Sequence, residues 1–121
     1  MKLLYENTVE NKGVSVDAFK DQNMFILFGS SAPDTLKDYC YTIEVNPIIG
    51  EITEGQTVEI DGKQYKITAV GNLVNRNLAN LGHVTFSFSG AENEELPGTI
   101  SVEKTTMPDL TIGSTIKIFS K

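Results

Sequence analysis

Gln56-Thr57-Val58-Glu59-Ile60-Asp61-Gly62-Lys63-Gln64-Tyr65-Lys66-Ile67-Thr68-Ala69-Val70 is the stretch that decides the fold. Asp-Gly stands between two runs of β-branched and aromatic residues. Both turn residues tolerate positive φ, so the pair predicts a two-residue hairpin. Val58 and Ile60 match Tyr65 and Ile67 in phase, which gives the hairpin one apolar face. Short runs of the same kind recur on both sides. Leu3 to Val9 reads as a first strand, and Asn23-Met24-Phe25-Ile26-Leu27-Phe28 as a buried one ended by Gly29-Ser30-Ser31. Tyr39 to Val45, Thr99 to Val102 and Thr115 to Phe119 read as further strands. Two short helices interrupt them. One covers Pro33 to Asp38, with Pro33 at its first position. The other carries Val74, Leu78 and Leu81 on one face and stops at Gly82. Turn signals at short intervals and no long helix predict a mainly β chain: a small closed or partly open barrel, or a sandwich.

The 121 residues are expected to form one domain, 1–121, with no repeat and no linker. Hydrophobic content of 40% supports one core, and no run approaches the ~20 apolar residues of a spanning helix. The N-terminal apolar run is too short for a secretory signal. One cysteine, Cys40, cannot close an internal disulfide, which suits a cytoplasmic, reducing setting. The net charge of −6 argues against nucleic-acid binding, which needs clustered Lys and Arg. It suits a partner with a basic surface, or simple solubility.

The chemistry narrows quickly. A zinc site is excluded by one His and one Cys, and no cofactor motif is present. There is no Walker loop and no GxSxG elbow. His83 is the sole imidazole. It opens His83-Val84-Thr85-Phe86-Ser87-Phe88-Ser89, where Val84, Phe86 and Phe88 alternate with polar residues. A strand beginning at His83 would place the imidazole on a polar face with Thr85, whose hydroxyl can support a bound anion. The competing reading makes His83 a structural strand cap and Thr85 an ordinary β-former. Cys40, between Tyr39 and Tyr41, reads as a buried small hydrophobe, since no neighbour in sequence lowers its pKa. Glu92, Glu94 and Glu95 form an acidic loop after the His83 strand, either a docking face or solvated surface.

Several stretches together resemble one family. They are Ala32-Pro33-Asp34-Thr35-Leu36-Lys37-Asp38-Tyr39-Cys40, Thr68-Ala69-Val70-Gly71, and Asn77-Leu78-Ala79-Asn80-Leu81-Gly82-His83-Val84-Thr85. Leu96-Pro97-Gly98-Thr99 and Gly113-Ser114 continue the match. The resemblance runs from about Tyr5 to Phe119. It is to the glucitol/sorbitol-specific IIA component of the phosphoenolpyruvate:sugar phosphotransferase system. It implies a cytoplasmic β-rich domain with a phosphohistidine intermediate. The donor would be the histidine phosphocarrier protein. The acceptor would be a cysteine on the IIB domain of the membrane transporter, without membrane insertion by this chain. Some members carry a further histidine after Tyr-Cys, where this chain has Tyr41-Thr42-Ile43-Glu44. The carry-over therefore falls on His83. Other expectations of the residues are a non-catalytic β-barrel binding or regulatory module and, more remotely, a thiol-dependent enzyme using Cys40.

Overall fold

The computed structural model describes residues 1–93 and 96–121. Nine strands form one continuous ladder: β1 (Leu3–Thr8), β2 (Asn11–Lys12), β3 (Met24–Gly29), β4 (Tyr41–Ile43), β5 (Thr57–Ile60), β6 (Lys63–Val70), β7 (Val84–Ser87), β8 (Thr99–Val102) and β9 (Thr115–Phe119). Their spatial order is β1-β9-β5-β6-β8-β7-β3-β4-β2, a half-barrel. The barrel is thus of the partly open kind, and the sandwich alternative falls away. Two helices, α1 (Asp34–Lys37) and α2 (Val74–Leu81), lie between strands, and a 3-10 helix spans Val16–Gln22.

The hairpin forms as its turn residues require. Asp61 and Gly62 take φ of +50° and +87°, and Val58 pairs with Tyr65 across β5 and β6. Beyond the turn β6 changes partner. Its first half pairs with β5, and its second half, from Ile67 onward, pairs with β8 through an irregularity between Ile67 and Ala69. A bulge of this kind bends a strand and lets it serve two sheets. The N-terminal segment turns the opposite corner. β1 pairs with β9, β2 pairs with β4, and only Val9 and Glu10 separate them. Backbone bonds from Val9 to the Ser114 carbonyl (2.9 Å) and from Glu10 to the Thr42 carbonyl (2.8 Å) hold that corner.

The alternating apolar residues of these strands meet inside. Phe25, Phe86, Phe88, Tyr41 and Tyr65 are all buried. Phe25 stacks on Phe86 at 5.1 Å between centroids, and Tyr65 meets Phe88 edge-on at 5.0 Å. The short pieces Asn11–Lys12 and Val16–Gln22 were not expected. Neither carries an apolar period, and each is held by the chain around it. Asn23, expected as a strand residue, ends the 3-10 helix in the left-handed region (φ +58°). Its amide donates to the carbonyls of Phe88 (3.1 Å) and Thr105 (2.6 Å), and its oxygen accepts from Met107 N–H (2.8 Å).

Phe86 is fully buried at the centre of the aromatic group. Phe86→Ala is expected to lower folding stability by about 3–5 kcal/mol, measured by urea denaturation. A loss under about 1 kcal/mol would contradict this packing.

Candidate functional site

The site is built on the outer face of β3. Phe25 and Leu27 point into the main core, and Ile26 and Phe28 point the other way. That is why the run from Met24 to Phe28 lacks polar alternation. On the outer side Phe28 is buried with Ala32 and Cys40, and Ile26 packs against them. The antiparallel partner of β3 is β7, with Leu27 opposite Val84 and Ile26 opposite Thr85. One step further in that register brings His83 beside Phe28. The two rings stack at 4.1 Å between centroids with planes 14° apart.

Helix α2 delivers His83 to this place. Val74 and Leu78 bury its inner face, and Gly82 ends it with φ of +68°. The N–H groups of Gly82 and His83 donate back to the carbonyls of Leu78 (3.0 Å) and Asn77 (3.3 Å). Gly82 also permits a close approach. A Cβ there would lie 3.1 Å from the backbone nitrogen of Gly29, and a Cβ on Gly29 would lie 2.7 Å from the Leu81 carbonyl oxygen. Two glycines thus let the helix end settle onto the end of β3.

His83 precedes the strand, which begins at Val84, and its surroundings differ from the polar face expected. Alternation along one strand sets which way a side chain points; the strands beside it decide what it meets. Across from His83 and Thr85 stand Phe28 and Ile26. The imidazole is half-buried in the wall of a depression of about 260 Å³ lined by Phe19, Ile26, Leu36, Tyr39, Cys40 and His83. Neither ring nitrogen has a hydrogen-bond partner among the described residues. Burial therefore pushes the His83 pKa below its ordinary 6.5. The negative end of α2 would favour the imidazolium. Its last carbonyls are already bonded to Gly82 and His83, and burial prevails.

Thr85 is half-buried one step along the same face and does not line the depression. Its N–H donates to the Gly98 carbonyl at 3.0 Å. Cys40 is 2% exposed, and burial pushes its thiol up to about 11. Sequence neighbours suggested no histidine near Cys40, yet both line the same depression. Phe28 is legible in the sequence as a buried strand residue but not as a neighbour of His83. Its signal was the unbroken apolar run of β3, which demands a cover on both faces. Of the acidic loop only Glu92 is described, and it lies elsewhere. Glu92 follows the far end of β7 and lines a different depression with Glu54, Lys66 and Lys121; Glu94 and Glu95 lie outside the described residues. Among the described residues no group of three or more His, Cys, Asp or Glu side chains is placed to hold a metal ion, and no helix is long and apolar enough to cross a membrane.

Residues 4–117 match the family described as PTS system glucitol/sorbitol-specific IIA component. The chain belongs to this family. It is 36% identical to the PTS system glucitol/sorbitol-specific EIIA component of Escherichia coli (strain K12), over 99% of this chain and 98% of that protein. It is equally similar, over the same shares, to the protein of that name from Shigella flexneri. The crystal structure of PTS system IIA component from Enterococcus faecalis V583 has the same fold. Its TM-score is 0.82 at 28% identity, covering 96% of this chain and all of that one. The stretch Leu81-Gly82-His83-Val84-Thr85 is therefore the turn from α2 into β7 in a glucitol/sorbitol-specific IIA component.

Two outcomes follow from the burial of these groups. In an NMR titration, His83 should titrate below pH 6.5. The folded value lies under the unfolded one, so the stability that the neutral ring brings is complete above pH 6.5. It is lost as pH falls through the folded value. His83→Gln should flatten that part of the stability profile; a midpoint above 6.5 would contradict the burial argument. Native Cys40 should react with a thiol reagent at neutral pH about two orders of magnitude more slowly than in denaturant. Equal rates would show an accessible thiolate.

Proposed function

We propose that this IIA component, as one domain spanning residues 1–121, is a cytoplasmic phosphoryl relay that works through His83. It takes the phosphoryl group from the histidine phosphocarrier protein and passes it to the IIB cysteine for glucitol/sorbitol uptake. The observation that carries the reading is the state of His83. It is the one imidazole of the chain, its ring is biased to the neutral form, and it forms part of the wall of a surface depression. A neutral ring has the in-plane lone pair that attack on phosphorus needs, and such transfer asks little beyond positioning and charge stabilisation. The strand after Tyr39-Cys40, Tyr41-Thr42-Ile43, supplies no competing imidazole. Thr85 is the proposed support. Two residues along one strand face separate it from His83 by roughly 6–7 Å, within reach of a phosphoryl oxygen held between them.

The partners are proposed to meet the chain where the depression opens. Leu36 and Tyr39 stand 42% and 40% exposed on its rim. The elements that carry the rim, the 3-10 helix and α1 with the residue after it, bring Asp17, Asp21, Asp34 and Asp38. Lys20 pairs with Asp109 at 2.9 Å and Lys37 with Asp34 at 3.8 Å, which leaves Asp17, Asp21 and Asp38 as the excess negative charge of these elements. A donor with basic residues around its own reactive histidine fits this rim better than it fits the loop at Glu92.

With phosphoenolpyruvate and the two general proteins of the system, wild-type protein should gain one phosphoryl group by intact mass. The adduct should be lost in acid and kept in base. His83→Gln should gain none, and undiminished gain in that folded variant would overturn the assignment. Thr85→Ala should slow transfer about tenfold, the worth of one charged hydrogen bond. Neutralising Asp17 and Asp38 together should slow transfer at low salt and flatten its salt dependence. An unchanged salt slope would remove those carboxylates from the docking face.

A further inference from the structure

A histidine nucleophile is ordinarily oriented by a hydrogen bond to its second nitrogen, which fixes both tautomer and ring plane. His83 has no such partner among the described residues. It has instead a ring against its face, 4.1 Å away and 14° from parallel. That ring does not wander. Phe28 is 7% exposed, buried with Ala32 and Cys40 and packed by Ile26. On the backbone side, His83 follows Gly82, which lies tight against Gly29, the residue after Phe28. The same strand end therefore holds both the backbone and the side chain of the histidine.

We propose that Phe28 is the positioning residue for phosphoryl transfer at His83, setting the plane of the imidazole by stacking. The inference rests on His83 being the phosphoryl acceptor. The attacking lone pair lies in the plane of the ring, so whatever fixes the plane aims the lone pair. In the first step that pair forms the N–P bond, and His83 keeps the proton on its other nitrogen. The P–N bond to the donor's imidazole breaks, and its electron pair returns to the donor ring, which carries a proton on its own other nitrogen and leaves neutral. In the second step a partner thiolate forms the S–P bond as the N–P bond breaks. The pair returns to His83, which is left neutral with its proton still in place. Every bond made or broken at His83 lies in the plane. The stack touches only the face, so it stands clear of the in-plane path by which phosphorus arrives and leaves.

The test compares Phe28→Leu, which keeps an apolar filling but loses the flat face, with Phe28→Tyr, which keeps the ring. In wild-type protein the ring protons of His83 should resonate upfield, shifted by the Phe28 ring current. The shift should persist in the Tyr variant and vanish in the Leu variant. With saturating phosphorylated carrier protein, kcat of phosphoryl uptake should fall about 10- to 100-fold in the Leu variant, with KM nearly unchanged. The Tyr variant should stay within about threefold of wild type. Should Phe28→Leu fail to fold by circular dichroism, Phe28→Met carries the same comparison, because methionine fills irregular space without presenting a flat ring. The proposal is overturned by a folded Leu or Met variant with wild-type kcat, by a loss confined to KM, or by absence of the upfield shift in the wild type. If wild-type protein gains no phosphoryl group at all, the acceptor reading itself falls, and the role of Phe28 falls with it.

Discussion

Two stretches of chain each have to pair in both halves of the barrel, and the rest of the structure depends on that. β6 gives its first residues to β5 and its last to β8, bending at Ile67–Ala69. Residues 3–12 give β1 to β9 and β2 to β4, bending at Val9 and Glu10. Between those corners the ladder curls far enough to wrap Phe25, Phe86, Phe88, Tyr41 and Tyr65 into one apolar interior. A straight β6 would leave Tyr65 and Phe88 on separate layers. The bend is therefore what lets so short a chain build a continuous core, and it also fixes where the outer face of β3 points.

The candidate site belongs to that outer face. In a half-barrel, a strand with apolar residues on both sides needs a second covering beyond the core. Here it is a small one, supplied by Ala32, Cys40 and the residues around α1. The cover is incomplete, and the gap is the depression that His83 borders. Partial cover accounts for two properties at once. It removes enough water to lower the pKa of the imidazole, and it leaves the ring lining an open depression. Cys40, deeper in the same cover, is 2% exposed, and the same burial raises its thiol pKa.

Much of this architecture is legible in the local chemistry of the residues. Asp61-Gly62 names its hairpin because only a few residue pairs tolerate that turn. The spacing of Val74, Leu78 and Leu81 with Gly82 gives the existence of α2 and its C-cap, although Leu81 is exposed and only Val74 and Leu78 are buried. Thr99–Val102 and Thr115–Phe119 likewise emerge with the expected ends. Asn11–Lys12 and Val16–Gln22 do not, because tertiary neighbours and not their own pattern hold them. The site shows the same division. His83 can be singled out from its rarity, and its place after a helix cap from Gly82. That it rests on Phe28 and shares a hollow with Cys40 depends on the pairing of β3 with β7, a register that no periodicity within either strand encodes.

The corner formed by residues 3–12 bears on how the protein comes into being. β1, the first of these strands in chain order, has its partner in the ninth, β9. Until Thr115–Phe119 emerges, β1 and β5 both lack a neighbour, and their unpaired edges are open to other chains. Native closure thus waits until β9 has been made. A product of this chain that stops short of β9 is left with two open strand edges, the setting in which incomplete chains aggregate and do not persist as a lesser version of the fold.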